Sequence, residues 1–368
     1  LFKAALHRGD PFDLVSARLL PAEVSMNMAG IFGRVNGVTV ENSNVTLVGA
    51  VNVGRGPIAD LAVDGDTLVA TNFGEHSVMV LEADGLAITG GVVAGEPFAV
   101  VAAHDRAYVG VASVDYDAIA VIDTTTGGVT AAYPLSFNAT AMTTSPDGKR
   151  VYAGRIREDG VDVAVIDTVA ERPGTIHVAN GIDLSVDALR VDDGDRRLVV
   201  AVSDSRGSRL VVIDLETTRV RRVLEIGAPI RDLALGAGGI AYVLTSDIAD
   251  RGVVHVIDLV EHRITGSYAV GSVPTQLVLS ADGTRAFIVD CDHVTVWRTD
   301  THAVVDTISV GVRPSCVAVD RDRLFVADYD GGITAFTVFP SAPVVFAPSA
   351  APRALVVPPV RELEAVGA

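Results

Sequence analysis

The chain has 368 residues, 49% of them hydrophobic and only 5% aromatic, with 35 glycines and a formal net charge of −17. That acidity excludes nucleic acid and anionic membrane surfaces as partners, because affinity for either is carried by Lys and Arg neutralising phosphates. No run approaches 18 consecutive apolar residues, so no helical membrane span is predicted.

In chain order, residues 1–43 read as an N-terminal extension. Its start, LFKAALHRGD, is too short and too weakly apolar for a secretory leader, and no initiator Met precedes it. An exported, cell-envelope location and a cytoplasmic one therefore both stay open. The Arg-Gly-Asp at 8–10 is a three-residue match and receives no adhesive role. The segment NVTLVGAVNV (44–53) alternates as a strand but has no partner strands before it.

A repeat then runs to the end of the folded part. Its first column is a short alternating strand: VATN from Val69, YVGV from Tyr108, YAGR from Tyr152, VVAV from Val199, YVLT from Tyr242, FIVD from Phe287 and FVAD from Phe325. The first residues of these segments lie 39, 44, 47, 43, 45 and 38 positions apart. A second column keeps step with it: VMVLE, IAVIDT, VAVIDT, LVVIDL, VHVIDL, VTVWRT and ITAFTV. Two columns in phase predict seven units of some 43 residues. Each unit holds four alternating runs, as in TQLVLS, RAFIVD, HVTVWR and AVVDTISV of the sixth. Four antiparallel strands per unit make one blade of a β-propeller, and the expected fold is all-β with seven four-stranded blades over residues 44–339. Asp-Gly at 147–148 and 282–283 marks tight hairpins. The Asp ending each VIDT run is read as capping the next turn through its own backbone.

The last unit supplies only three strands, SCVAV, RLFVAD and GITAFTV. The orphan strand at 44–53 would complete it, closing the ring three-plus-one. GVTV (37–40) resembles a third strand and makes a two-plus-two closure the competing arrangement. Residues 340–368 hold six prolines and are expected to be extended, as a linker or an outer strap.

The segments VGRGP (53–57), VGSVP (270–274) and VGVRP (310–314), with SPDGK and VIDT, resemble the YVTN family of propeller repeats over about residues 44–339. The resemblance implies the seven-bladed ring. It does not choose a function, because such relatives include surface-exposed repeat proteins, lactonase-like enzymes and cofactor-bearing propellers. Blades 3 and 4 depart from the pattern, with SFNAT and NGIDLS where VGxxP belongs.

In a propeller the loops leading into the innermost strands and those joining strands two and three share one mouth. The seven strand two-to-three loops carry a summed charge of −9, which predicts a steering field for a basic protein surface or a divalent ion. Asp290-Cys291-Asp292, Asp328-Tyr329-Asp330 and Asp115-Tyr116-Asp117 occupy equivalent loops. Asp290, Asp292, Asp328 and Asp330 are hard ligands of the kind Ca²⁺ takes, without the spacing of a calcium loop. Asp290 and Asp328 also stand at the Asn position of the YVTN pattern, where capping a turn is the alternative role. No other cofactor is nominated.

The mouth ends of the innermost strands offer Arg55, Asp60, Asp187, Arg231, Asp232, Gln276 and Arg313 to a polar ligand. A hydrolase would need a positioned base, for which Glu75 and His76 are the candidates beside Arg231 and Asp232, with His293 in reserve. His255 is placed in the core. No nucleophile or metal motif appears. Cys291 and Cys316 lie on neighbouring blades at one level, which permits a disulfide without requiring it. The sequence thus reads as a monomeric, non-enzymatic propeller binding another protein through its acidic loop face. The alternative is a lactonase-like hydrolase of a small polar lactone at the mouth.

Overall fold

The turns form as their residue types dictate. In SPDGK, Asp147 Oδ1 accepts from Ser145 Oγ at 2.7 Å and from the Lys149 N–H at 3.1 Å, and Gly148 takes a φ of 67°. SADGT repeats this: Asp282 Oδ1 accepts from Ser280 Oγ at 2.6 Å and from the Thr284 N–H at 3.0 Å, with Gly283 at φ 68°. The VIDT aspartates cap the turns that follow them, Asp123 accepting from Thr125 and Thr126 and Asp258 from Val260 and Glu261.

The computed structural model describes residues 38–40 and 45–339, apart from 114–116, 136–138, 171, 193, 195 and 248–250. The Arg-Gly-Asp, the 340–368 tail and Asp115 lie outside the described residues. Seven antiparallel sheets follow one another along the chain: blade 1 spans 58–93, blade 2 96–135, blade 3 139–180, blade 4 185–225, blade 5 230–271, blade 6 276–310 and blade 7 314–338. The molecule is an all-β, seven-bladed propeller.

Closure is three-plus-one. The strand Val45–Asn52 pairs antiparallel with Gly332–Val338, from Val45 opposite Val338 to Asn52 opposite Gly332, and becomes the outermost strand of blade 7. The competing two-plus-two arrangement is not formed. Val38–Val40 pairs instead with the outer strand of blade 6, Val38 opposite Val310 and Val40 opposite Ile308, giving that blade a fifth strand. The third-strand place in blade 7 is already filled by Gly332–Val338, whose other edge pairs with Arg323–Asp328. A GVTV-like pattern alone cannot distinguish a third strand from an added fifth one, because both alternate with the same period.

The hydrophobic core is divided among the blade-to-blade interfaces. Successive residues of a strand point to opposite faces, so each strand feeds two interfaces. In blade 1, Leu68 and Ala70 pack against Phe325 and Ile333 of blade 7, while Val69 between them packs towards Val109 of blade 2. The pattern continues around the ring. The closing strand serves two interfaces as well: Val45 is buried with Phe287 and Phe336 between blades 6 and 7, and Val51 packs against the cluster between blades 7 and 1.

Glycine makes the seam between blades 7 and 1. A Cβ on Gly331, which has a φ of 89°, would lie 2.1 Å from the Gly54 carbonyl oxygen, and one on Gly74 would lie 2.0 Å from that of Gly56. Three stretches of backbone meet there with no room for side chains, which accounts for the glycines of VGRGP, NFGEH and DYDGG.

Candidate functional site

The innermost strands enclose an axial channel of about 570 Å³. Their register against the second strands makes Asp60, Ala99, Ala141, Ala188, Asp232, Gln276 and Cys316 equivalent, one per blade. Wherever this position carries an acceptor oxygen, it clasps the next blade. Asp60 Oδ2 accepts from the Val100 N–H of blade 2 at 3.0 Å, and Oδ1 from its neighbour Leu61 at 2.9 Å. Asp232 Oδ2 accepts from the Leu277 N–H of blade 6 at 3.0 Å, and Oδ1 from Leu233 at 2.8 Å. Gln276 Oε1 accepts from the Val317 N–H of blade 7 at 2.7 Å. Arg190 of blade 4 donates to Asp232 Oδ1 at 2.9 Å, so Asp232 ties together three blades.

Burial is the largest influence on Asp60 and pushes its carboxyl up to about 7, although the Val100 and Leu61 amides and Arg190 pull the other way. A carboxyl raised in the folded state holds its proton longer than the unfolded chain does. Its contribution to stability is therefore fully present below about pH 4 and is lost as pH rises to about 7. The unscreened effect is about 4 kcal/mol. Asp60 is only half-buried on a channel wall, however, and water there reduces the effect to about 2 kcal/mol. Asp60→Asn should remove that slope, measured by urea unfolding between pH 4 and 8. Asp204 and Asp214, held low by hydrogen bonds from Arg209 and Thr217 first, act only at the acid end. Parallel pH profiles for the two proteins would mean that Asp60 does not titrate in this window.

The channel also gathers Asp187 and Arg231, both in the bulge that starts the inner strands of blades 4 and 5. Asp187 Oδ1 accepts from Ser185 Oγ at 2.9 Å and Oδ2 from Ser203 Oγ. Arg231 is exposed and donates through Nη2 to the Ser246 carbonyl at 3.1 Å. Arg55 and Arg313 sit outside the channel on the loops before the strands. Arg55 gives its N–H to Glu75 Oε1 at 3.0 Å, and the Arg313 guanidinium lies 4.7 Å from the Tyr329 ring centre.

Glu75 and His76 are exposed on the blade 1 turn, with the Glu75 N–H held by Asn72 Oδ1 at 3.1 Å and His76 at a φ of 52°. Among the described residues no hydrogen bond or ion pair joins either of them to Arg231 or Asp232. The hydrolase candidates thus divide between a blade 1 turn and a blade 5 strand. His293 spends its ring on Asp292 at 2.7 Å and Thr295 at 3.1 Å. His255 is half-buried between Thr245 at 3.2 Å and Ser267 at 2.8 Å, and burial lowers its pKa.

Asp328 ends the second strand of blade 7 and Asp290 directly follows that of blade 6, the place that Asn72 takes in blade 1. Asp290 accepts the N–H groups of Ser272 at 2.9 Å, Val273 at 2.8 Å and Cys291 at 2.8 Å, which pins the loop leading into blade 6. Burial raises its carboxyl, and the three amides together bring it below the usual carboxylate range. Asp328 Oδ1 accepts from Asp330 and Gly332, both at 2.8 Å. Asp292 and Asp330 are exposed. Among the described residues no three His, Cys, Asp or Glu side chains gather closely enough to hold an ion.

Both cysteines are free thiols. Cys291 is half-buried in its turn, and Cys316 is buried on the channel ring, where desolvation raises its thiol well above the usual value. Sequence reasoning missed Arg190. Its signal was present in SVDALRV, where it stands two residues past the ring position Ala188 and so on the same face of the strand.

A seven-bladed beta-propeller protein of Mycobacterium tuberculosis is 36% identical over 329 residues, 77% of this chain and 82% of its own length. A seven-bladed beta-propeller protein of Mycolicibacterium smegmatis is 52% identical over 262 residues, 70% of this chain and 71% of its own. A chain of Kuenenia stuttgartiensis hydrazine synthase superposes with a TM-score of 0.69 over 77% of this chain and 96% of its own; at 18% identity this likeness is one of fold. No family model matches the chain. Seven blades in the structure and two relatives matched over most of their lengths lead to one conclusion: the chain belongs to the seven-bladed β-propeller proteins.

Proposed function

We propose that this propeller is a non-enzymatic binding scaffold, built of YVTN-type repeats, that docks a basic protein surface on the turns of blades 6 and 7. The observation carrying this reading is the sector around Tyr329. That ring is 42% exposed and is flanked in its own turn by the exposed Asp330 and the anchored Asp328, with Asp290 and the exposed Asp292 in the turn of the adjacent blade. On blades 3 and 4 three carboxylates of the face are paired locally: Asp162 with Arg155 at 2.7 Å, Asp159 with Arg157 at 3.1 Å and Asp204 with Arg206 at 3.1 Å and Arg209 at 3.0 Å. This leaves a carboxylate cluster on blades 6 and 7 with no arginine ion pair among the described residues, Asp292 pairing with His293 at 2.7 Å. An exposed tyrosine beside it is a common interface anchor. The hydrolase reading has less support, because Glu75 already accepts the Arg55 N–H.

Affinity capture with the intact chain tests this. A variant carrying Asp292→Asn and Asp330→Asn removes two exposed charges without touching the buried anchors. It should melt like wild type, while its association with the captured protein slows about tenfold at low salt, since rim charges act on encounter. Raising the ionic strength should erase the difference, the screening length being about 8 Å at physiological salt. A double variant that captures the same protein at the same rate at low salt would rule this docking surface out.

A further inference from the structure

The polar groups of the channel are engaged unevenly. Its acceptors are occupied: both oxygens of Asp60, Asp187 and Asp232 already receive hydrogen bonds, and so does Gln276 Oε1. Its donors are not. A backbone N–H can only donate, so Gln276 must turn Oε1 towards Val317, and its Nε2 has no partner among the described residues. Arg231 spends one N–H on the Ser246 carbonyl, and its remaining N–H groups have none among the described residues.

Arg231 and Gln276 stand on adjacent blades, 5 and 6, at successive levels below the mouth. In a ring of seven, the wall facing blades 5 and 6 is supplied chiefly by blade 2. There the channel is lined by Ala99 and Val101, continued by Ala141 of blade 3. A donor wall thus faces an apolar wall across a space of about 570 Å³, a size suited to a small organic molecule.

We infer that the channel is a binding site for a small organic monocarboxylate, its carboxylate held by Arg231 and Gln276 Nε2 and its hydrocarbon part against Ala99, Val101 and Ala141. A cation is disfavoured because each carboxylate oxygen there is already engaged and Arg190 adds positive charge beside Asp232. A polyanion is disfavoured by Asp187, which occupies the rim position of the blade next to Arg231. This site does not rest on the protein-docking reading, which uses the turns and not the channel.

Calorimetric titration of the full chain with hexanoate, hexylamine, hexanol and inorganic phosphate tests the inference. Hexanoate should bind and the other three should not. Arg231→Gln should weaken hexanoate about tenfold, the loss of one charged hydrogen-bonding partner. Ala141→Leu, which fills the apolar side, should weaken it as well, provided circular dichroism shows both variants folded. No hexanoate binding by folded wild type up to about 10 mM, equal affinity in Arg231→Gln, or phosphate or hexylamine binding as well as hexanoate would each overturn it. The Asp292→Asn, Asp330→Asn variant should bind hexanoate like wild type, so a failed docking surface and a failed channel site give different results.

Discussion

Deleting residues 1–53 should lower the melting temperature by about 10 °C or more, whereas deleting residues 1–34 should leave it unchanged. The longer deletion removes Val45–Asn52, the outer strand of blade 7, and exposes the whole edge of Gly332–Val338. It also takes Val45, Val51 and Val53 out of the two interfaces that close the ring. Burial of three such side chains is worth on the order of 5 kcal/mol, and each kcal/mol shifts the melting point of a large domain by about 2 °C. An intermediate deletion of residues 1–41 removes only the fifth strand of blade 6 and should cost far less, because blade 6 keeps its own four strands. Scanning fluorimetry with size-exclusion chromatography reads all three. If the 1–53 deletion melts with the full chain, this strand does not carry the closure.

Asp232→Ala should destabilise the protein by about 3 kcal/mol, at the lower end of what removing one partner of a buried ion pair costs, because Arg190 keeps some contact with channel water. The substitution leaves the Leu277 N–H without its acceptor and frees Arg190 beside the apolar channel wall. The complementary Arg190→Ala should show a different pH dependence. Burial is the main influence on Asp232 and raises its carboxyl, with Arg190 the first of the groups that hold it down. Without Arg190 the carboxyl titrates higher still. The variant's deficit should therefore grow as pH rises from 5 to 8 and shrink on the acid side, where the carboxyl is neutral. Chemical denaturation at those two pH values measures both effects. Wild-type stability in Asp232→Ala would mean that the three-blade tie contributes nothing.

Short-range chemistry in the sequence was enough for much of this molecule. The two columns of Tyr-Val and Val-Ile-Asp runs specify seven blades, because strand alternation and Asp-Gly turns are encoded within a few neighbouring residues. The missing strand of the last unit and the orphan strand at 44–53 together specify the three-plus-one closure. Five of the mouth candidates, Asp60, Asp187, Arg231, Asp232 and Gln276, do line one channel. The tertiary structure alone decided what each of them does there. Asp232 meets Arg190 from 42 positions earlier and Leu277 from 45 positions later. Asp290 and Asp328, which read as ion ligands or caps, have their oxygens on backbone amides of their own turns and, for Asp290, of the loop leading into its own blade. Val38–Val40 joins blade 6 and not blade 7. The ties of Asp232 and the place of Val38–Val40 depend on which blade stands beside which at one height in a closed ring, between residues about a whole repeat or more apart and beyond the reach of any local pattern.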